Sequence, residues 1–530
     1  FWLLSLKTLA NSFLWLFSRV IIFKSVRRLL FIYSPFYPTP PHPSSLTMSS
    51  HDTESIQTIF QKIWGYDSFR FPQQEIIETI LAAKDALIVM PTGFGKSICF
   101  QLPALLKTGL TLVISPLVAL MENQVEELLA KKLPVALIHH EIPRQQRKKT
   151  LAAIADQTLR LLYLSPETLL SPPLWSKLTL PHVKINALIL DEAHCLTQWG
   201  DNFRPAYRRL GAVRPALLQS KPAGSQIAIA AFTATANPAT RETLTRVLQL
   251  EKPQLFLINP YRQNLDLSTK ICISPGCRRH QLLNFLTSQP RQSGLIYTRS
   301  RRHSENLAAW LQSLHYRTSA YHAGLSPFQR REIEQNWLRG DLTFVVCTSA
   351  FGMGINKPDV RWVVHYQPPA LLSEYLQEIG RGGRDGGKMQ ALTLISEPTG
   401  WLDNSDKNQQ KFFNSQQERQ YRQAWQILAQ IPLEGKVEAI SAEFPDGALI
   451  LSLLHSLDRL EWLDPFHYRL IYRHNSAKMT FKPRNEIFPY LYTRRCRWHF
   501  LLNAFGFQEN ADNFRCGHCD NCRRNRPLVS

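Results

Sequence analysis

The stretch Met90-Pro91-Thr92-Gly93-Phe94-Gly95-Lys96-Ser97 joins an apolar run, Ala86 to Val89, to a helix-patterned segment from Ile98 to Leu106. A strand, a glycine-bearing loop and a helix opening on Lys-Ser place backbone N–H groups and the positive helix end around phosphate oxygens. In such a loop Lys96 reaches the β- and γ-phosphates of ATP, Thr92, Gly93 and Gly95 line the cradle, and Ser97 holds Mg²⁺. Pro91 stands where the strict pattern has its first glycine, so Gly93 and Gly95 must supply the flexibility. A second apolar run, Ile185 to Leu190, ends on Asp191-Glu192-Ala193-His194. At the C-terminal edge of a parallel sheet, Asp191 can complete the Mg²⁺ shell and Glu192 can orient or deprotonate the attacking water. Ahead of the loop, Tyr66 and Arg70 can sandwich a flat base, and the amide of Gln73 can pair with an adenine edge. Arg381 and Arg384, three apart at an expected helix end after Gln377, can face a phosphate across a cleft.

These residues need a scaffold, and the chain alternates strand and helix as a parallel α/β sheet does. Strands are expected at Leu110 to Ser115, Leu159 to Leu164 and Ile185 to Leu190, and Ala231 to Ala236 brings hydroxyls that can relay between sites. From Asn259 a second α/β unit begins, with strands at Gly294 to Tyr297, Thr318 to Tyr321, Thr343 to Cys347 and Arg361 to His365. Between the units of chemistry lies Gln198-Trp199-Gly200-Asp201-Asn202-Phe203-Arg204, a loop whose aromatics can stack on bases while Arg204 meets phosphate.

The 530 residues carry a formal net charge of +21, which favours a polyanionic partner. Nine cysteines, five of them scattered, do not form a disulfide scaffold and suit a reducing compartment. Residues 1–47 hold five basic residues, no acid, and a proline cluster from Pro35 to Pro43. Arg19 and Lys24 interrupt its apolar run before a bilayer could be spanned, so the segment reads as upstream translation ahead of Met48 or as a targeting segment. Without it the net charge is still +16, and no membrane is expected for 48–530.

Taken together, Gly65-Tyr66 with Phe69-Arg70 and Gln73, Met90 to Ser97 with Cys99 and Gln101-Leu102-Pro103, Ser115-Pro116-Leu117, the Asp-Glu-Ala-His box running into Gln198-Trp199-Gly200 and Phe203-Arg204-Pro205, Ala350 to Val360, and Gln377 to Gly386 closely resemble the RecQ DNA helicases. The resemblance covers about Ile56 to Ser396 and resumes at the C-terminal cysteines. It implies two RecA-like lobes with ATP and Mg²⁺ in their cleft and 3′ to 5′ unwinding of DNA in recombination and repair. By the same resemblance Tyr66, Arg70 and Gln73 select adenine, Gln198, Trp199, Phe203 and Arg204 contact DNA, and Gln377, Arg381 and Arg384 act from the second lobe. Single-stranded and duplex DNA, and a single-strand-binding protein, are the expected partners, in a cytoplasmic, nucleoid-associated setting. Asp201-Asn202 departs from the family's usual His-Asp, and Gly382 from its usual Ala, which leaves coupling and turnover in question. An RNA helicase with a similar core, or an ATP-dependent translocase or clamp that does not unwind, are the competing readings.

The C-terminal third leaves the family spacing between Ser415 and Asn475. A helix is expected over Glu418 to Gln430. A second follows Asp446, a candidate N-cap, with Ile450, Leu453, Leu454, Leu457 and Leu460 at helical spacing, and Tyr468 to Arg473 reads as a strand. This suggests a small winged-helix-like module, or else a helical buttress. Cys496, Cys516, Cys519 and Cys522 match a four-thiolate Zn²⁺ site, with an iron–sulfur cluster as the alternative; His499 and His518 are spare ligands. The family continues beyond its zinc module into further domains that the eight residues after Cys522 cannot hold. The fold class is therefore α/β, two RecA-like parallel-sheet lobes followed by a mainly α module and a zinc module. The expected divisions are 1–47, 48–258, 259–400, 401–485 and 486–530.

Overall fold

The computed structural model describes residues 56–197, 204–351, 357–471 and 487–524. The 1–47 segment therefore lies outside the described residues. So do Gln198, Trp199 and Phe203 of the aromatic loop and most of the glycine-containing turn after Phe351.

The first sheet contains β1 (Ala86–Val89), β2 (Leu110–Ile114), β3 (Val135–Ile138), β4 (Leu161–Leu164), β5 (Ile185–Leu190), β6 (Ala228–Thr233) and β7 (Gln254–Leu257). Its order is β3-β4-β2-β5-β6-β1-β7, and every pairing is parallel. Parallel strands covered on both faces read as largely apolar runs rather than alternating ones, and only the edge strand β7 leaves Gln254 and Leu255 exposed. Their side chains divide between two hydrophobic clusters, one per face. Asp85 pins the start of β1: its carboxylate accepts two hydrogen bonds from Arg214 at 2.8 Å, and the N–H groups of Ile229 and Glu251 at 2.8 and 2.7 Å. A buried carboxylate so fully paired costs little to bury and fixes where the phosphate loop begins.

The second sheet contains β8 (Leu265–Cys272), β9 (Gly294–Tyr297), β10 (Thr318–Tyr321), β11 (Phe344–Cys347), β12 (Trp362–His365) and β13 (Met389–Ser396), in the order β10-β11-β9-β12-β13-β8 and again all parallel. These are the two RecA-like lobes. Helices used below are α1 (Gln73–Leu81), α2 (Lys96–Leu106), α3 (Leu372–Ile379), α4 (Ser405–Leu428), α5 (Val437–Glu443), α6 (Gly447–Ser456) and α7 (Arg497–Ala504). No helix among the described residues is long and apolar enough to cross a membrane.

After β13 comes α4, which starts at Ser405, well ahead of the Glu418 expected from sequence, because its first turn is rooted in the second lobe. There the buried Arg278 donates to both carboxylate oxygens of Asp406 at 3.1 Å, and Asp406 also accepts the N–H of Ser396. Then follow β14 (Glu434–Lys436), α5, α6, β15 (Leu460–Trp462) and β16 (His467–Leu470), with the antiparallel order β14-β16-β15. Helix, strand, two helices and a hairpin is the connectivity of a winged helix, closed around its own apolar cluster. Two local expectations need correction. Asp446 makes no side-chain cap but adopts a left-handed conformation, φ 62°, at the turn into α6. Leu460 belongs to β15, since α6 ends at Ser456.

The cysteine module shares a core with the second lobe, because Tyr490, Trp498, Leu501 and Cys519 join the cluster that contains Leu265 and Tyr375. Asp520 ties them further, accepting from Arg497 Nη2 and from the N–H of Thr269 on β8, each at 2.9 Å.

Candidate active site and metal centre

The C-terminal ends of β1, β5 and β6 lie on one edge of the first sheet, and one strand, β6, separates the phosphate loop from the Asp191-Glu192 pair. Gly93 and Gly95 have φ of 90° and 80°, a region in which a side chain is strained. A Cβ on Gly95 would also fall 2.5 Å from Gln73 Nε2 and would have to displace that amide, while the positive φ is what favours glycine there. Helix α2 opens with no side-chain cap on its N-terminal N–H groups. Lys96 Nζ is buried, donates no hydrogen bond, and stands 3.6 Å from Glu192 Oε1. Open N–H groups and a buried ammonium without a hydrogen-bond acceptor fit the phosphates of a nucleotide, and Ser97 and Asp191 supply the oxygen donors that Mg²⁺ takes.

Glu192 itself is left-handed, φ 49°, a conformation that costs a non-glycine residue about 1–2 kcal/mol and is held here by its surroundings. Burial pushes its carboxyl up, but Lys96, His194 and Arg381 outweigh that and hold it below the usual range. For Asp191, burial and the neighbouring Glu192 charge prevail over Lys96 and raise the carboxyl. The two neighbouring carboxyls are thus shifted in opposite directions.

The second lobe closes over this edge. Gln377 on α3 donates from Nε2 to His194 Nε2 at 3.0 Å and lies 3.3 Å from Thr235 Oγ1. The other ring nitrogen of His194 is 3.0 Å from Thr233 Oγ1, so a polar chain runs from the second lobe into β6. The aliphatic part of Arg384 lies 3.9 Å from where a Gly93 Cβ would be, which puts its guanidinium chain over the phosphate loop. Burial, with Arg381 and Arg262 nearby, lowers Arg384 to about 10. Arg381 and Arg384 sit at the end of α3, on the turn that follows Ile379, where Gly383 has φ 57°.

Beneath α3 lies a buried ion cluster. Arg299 Nη2 donates to Glu378 at 2.8 and 3.1 Å, and His365 Nε2 is 2.9 Å from the same carboxylate. It orients the helix that carries Gln377. Sequence reading does not find Arg299, which is 79 positions from Glu378, and it omits His194, whose signal is its place in the Asp-Glu-Ala-His box. A cavity of about 150 Å³ opens on the same edge of the second lobe, between Thr298, Thr348 and Pro368 and the Gln409, Phe413 and Gln417 face of α4.

The base-facing residues are placed unevenly. The Tyr66 ring is 54% exposed, with its edge supported by Phe60 at 5.8 Å, and so offers a face for stacking. Arg70 Nη1 reaches the carbonyl of Gly93 at 3.5 Å. Gln73, expected at an adenine edge, is 3% exposed and turned to the loop instead: Oε1 accepts the N–H of Arg70 at 2.9 Å, and Nε2 donates to the carbonyls of Phe94 and Gly95 at 3.1 and 3.3 Å. The loop's inward carbonyls attract the amide that a base would otherwise meet. Of the four residues expected to contact DNA, Arg204 alone is described, and it pairs with Glu167 at 3.2 Å.

At the C-terminus the sulfurs of Cys496, Cys516, Cys519 and Cys522 all lie within 4.8 Å of one another, and no cysteine here is in a disulfide. Cys516 Sγ and Cys522 Sγ are 3.9 Å apart, close to the ~3.8 Å that four Zn–S bonds of 2.3 Å impose in a tetrahedron. Backbone N–H groups of Cys516, Arg497, Cys519 and Cys522 point at these sulfurs from 3.3–3.5 Å, as suits thiolates. The cage fits Zn²⁺. His499 is engaged with Ala511 and Asn503, and His518 with Tyr261, which removes both as ligands.

Comparison with known proteins agrees with this geometry. Residues 70–244 match the DEAD/DEAH box helicase model, and residues 277–386 the helicase conserved C-terminal domain. The chain is 50% identical over 474 residues to the ATP-dependent DNA helicase RecQ of Synechocystis, covering 89% of this chain and 98% of that protein. It is 38% identical over 346 residues to the RecQ helicase of Pasteurella multocida, covering 65% of this chain and 53% of that one. A probable ATP-dependent DNA helicase RecS of Bacillus subtilis is 37% identical over 344 residues, covering 64% of this chain and 67% of that one. In fold, the chain resembles the Mycobacterium smegmatis helicase Lhr bound to single-stranded DNA and AMP-PNP, with TM-score 0.53 and 20% identity over 65% of this chain and 48% of that one. It also resembles S. cerevisiae Dbp5 bound to RNA and ADP BeF3, with TM-score 0.52 and 18% identity over 68% and 91%.

Proposed function

The chain belongs to the RecQ family of ATP-dependent DNA helicases, and on that premise we propose that it couples ATP hydrolysis to 3′ to 5′ movement along single-stranded DNA and to duplex unwinding, in recombination and repair. The observation that carries the reading is that residues of both lobes converge on one edge of the first sheet: Arg384 of the second lobe lies over the phosphate loop that carries Lys96, and Gln377 meets His194, two residues after Glu192.

In this reading Lys96 leaves Glu192 to meet the β- and γ-phosphates, and the freed Glu192, kept ionised by its basic neighbours, takes a proton from the attacking water. Ser97 and Asp191 would hold Mg²⁺, which would supply charge neutralisation to the phosphates. Arg381 and Arg384 stabilise the charge that develops in the transition state. The Gln377–His194–Thr235 chain senses whether the lobes are closed. Tyr66 and Arg70 hold the base, and Gln73 exchanges a loop carbonyl for the adenine edge. Gln198, Trp199, Phe203 and Arg204 meet the DNA, Cys496, Cys516, Cys519 and Cys522 hold Zn²⁺, and the net charge of +21 suits a nucleoid setting, alongside a single-strand-binding protein.

The test is ATP turnover by the full chain with no nucleic acid, with single-stranded DNA and with single-stranded RNA, and strand displacement on duplexes with a 3′ or a 5′ tail. DNA-stimulated turnover with displacement from the 3′ tail is expected. Displacement from the 5′ tail would reverse the polarity, stimulation without displacement would make it a translocase, and RNA-selective stimulation would overturn the substrate.

A further inference from the structure

The winged-helix-like module carries an unusual helix. A helix that reads bases from a groove must present polar and basic side chains to solvent. Helix α6 is Gly-Ala-Leu-Ile-Leu-Ser-Leu-Leu-His-Ser, without a lysine or arginine, and none of its ten residues is exposed. A helix apolar on all sides is covered on all sides. One side, with Ile450, Leu453 and Leu454, faces the module's own core. The other meets the first lobe, where buried Ser452 donates from Oγ to the carbonyl of Pro205 at 3.1 Å.

The hairpin is docked in the same direction. The Phe466 ring at its tip packs edge-on against Trp175 of the first lobe, centroids 5.1 Å apart, and Arg209 Nη1 donates to the carbonyl of Pro465 at 3.2 Å. Asp464 fixes that tip by accepting the N–H groups of Phe466 and His467 at 2.7 and 2.9 Å. Arg246 of the first lobe pairs with Asp458 between α6 and the hairpin. Both elements with which a winged helix could engage a duplex are therefore turned onto the first lobe. The module's leading helix, α4, is meanwhile rooted in the second lobe by Arg278 and Asp406.

We propose that this module is an intramolecular clamp that ties the two lobes together across the ATP cleft, with Ser452, Phe466 and Arg209 as positioning residues, and that it is not the wedge that parts DNA strands. The second half rests on the helicase reading; the docking does not.

The docking is tested in the full chain with Arg246→Cys and Asp458→Cys bridged by a bis-maleimide whose spacer can be cleaved with reductant, the unsubstituted protein being treated alongside. Bridging in high yield is expected, with ATP turnover and unwinding of a 3′-tailed duplex as fast in the bridged protein as before. Failure to bridge would overturn the docking. Unwinding that is lost on bridging and restored by cleavage would show that the module must leave the first lobe, and would overturn the proposal. If the unbridged protein does not unwind at all, the helicase reading fails, while bridging and ATP turnover still decide the clamp. As a second variant, Phe466→Asp is expected to lower kcat for ATP about tenfold, equivalent to ~1.4 kcal/mol in the barrier, with the zinc content unchanged. Phe466→Leu should restore it, and an unaltered kcat in Phe466→Asp would refute the positioning role.

Discussion

The ATP cleft holds buried charge without a hydrogen-bond acceptor, whereas the C-terminal modules meet the lobes across packed rings and across buried charge that is already paired, as Arg278 is with Asp406. In the cleft, Lys96 and Glu192 face each other beyond hydrogen-bond reach, and Arg384 is held below its ordinary basicity by burial. Under the modules, rings and aliphatic side chains interlock: Trp175 with Phe466, Tyr261 with Trp498, and a single hydrophobic cluster shared by the second lobe and the cysteine module. An apolar seam gains free energy at once by excluding water, while buried charge is unfavourable until an opposite charge arrives. The cleft is therefore poised for a charged substrate, and the seams hold the lobes that present it.

The comparison can be broken at four points, in decreasing size of effect. Cys519→Ala opens the thiolate cage inside the second lobe's own core. It should lose Zn²⁺ and much of the ~10 kcal/mol that a structural zinc site contributes, read as metal content and thermal midpoint. Full metal retention would show that the seam does not depend on the cage. Lys96→Ala removes the ammonium from the cleft and should lower ATP turnover by at least ~10³-fold, about 4 kcal/mol in the barrier, with the fold intact by circular dichroism. Turnover close to the parent's would remove the phosphate loop from the mechanism. Trp175→Ala leaves charge untouched and takes away one side of an apolar seam. A loss of about 2 kcal/mol in denaturant unfolding is expected, with unchanged nucleotide affinity.

The smallest effect concerns the histidine on the clamp seam. His455 on α6 is lowered to about 3 by burial and by Arg208 and Arg246, against Asp458, with the Trp462 ring 5.7 Å away. Because the folded value lies below the ordinary 6.5, its contribution is complete above pH 6.5 and is lost progressively as the pH falls toward 3. Between pH 6.5 and 5.5 the docked state should weaken by about 1 kcal/mol. Thermal midpoints of the parent and of His455→Leu across that window check this, and parallel curves would exclude His455.

The sequence makes legible the strands ahead of the phosphate loop (Ala86–Val89) and the acids (Ile185–Leu190), and equally Leu110–Ile114, Leu161–Leu164, Gly294–Tyr297, Thr318–Tyr321, Phe344–Cys347 and Trp362–His365. Strand β3, Val135–Ile138, and the long β8 and β13 carry no motif at their ends and were not singled out. The start of α4 was displaced because its first turn is polar, Ser405-Asp406-Lys407-Asn408, and its helical state depends on Arg278 rather than on periodicity.

By itself the sequence determined the chemistry of this protein: a lysine and serine after glycines, two acids at a strand end, arginines beyond Gln377, and four cysteines in register. Residue type and local spacing suffice for that, because each motif is built within one turn or loop. Only the tertiary structure decided which of them meet. Gln377 finds His194 across 183 positions, Gln73 turns to the loop rather than outward, and the apolar α6 is covered by Pro205 and its neighbours. A buried pattern states that a face must be covered but not by what. That choice belongs to shape and charge complementarity between segments far apart in the chain, which no local period encodes.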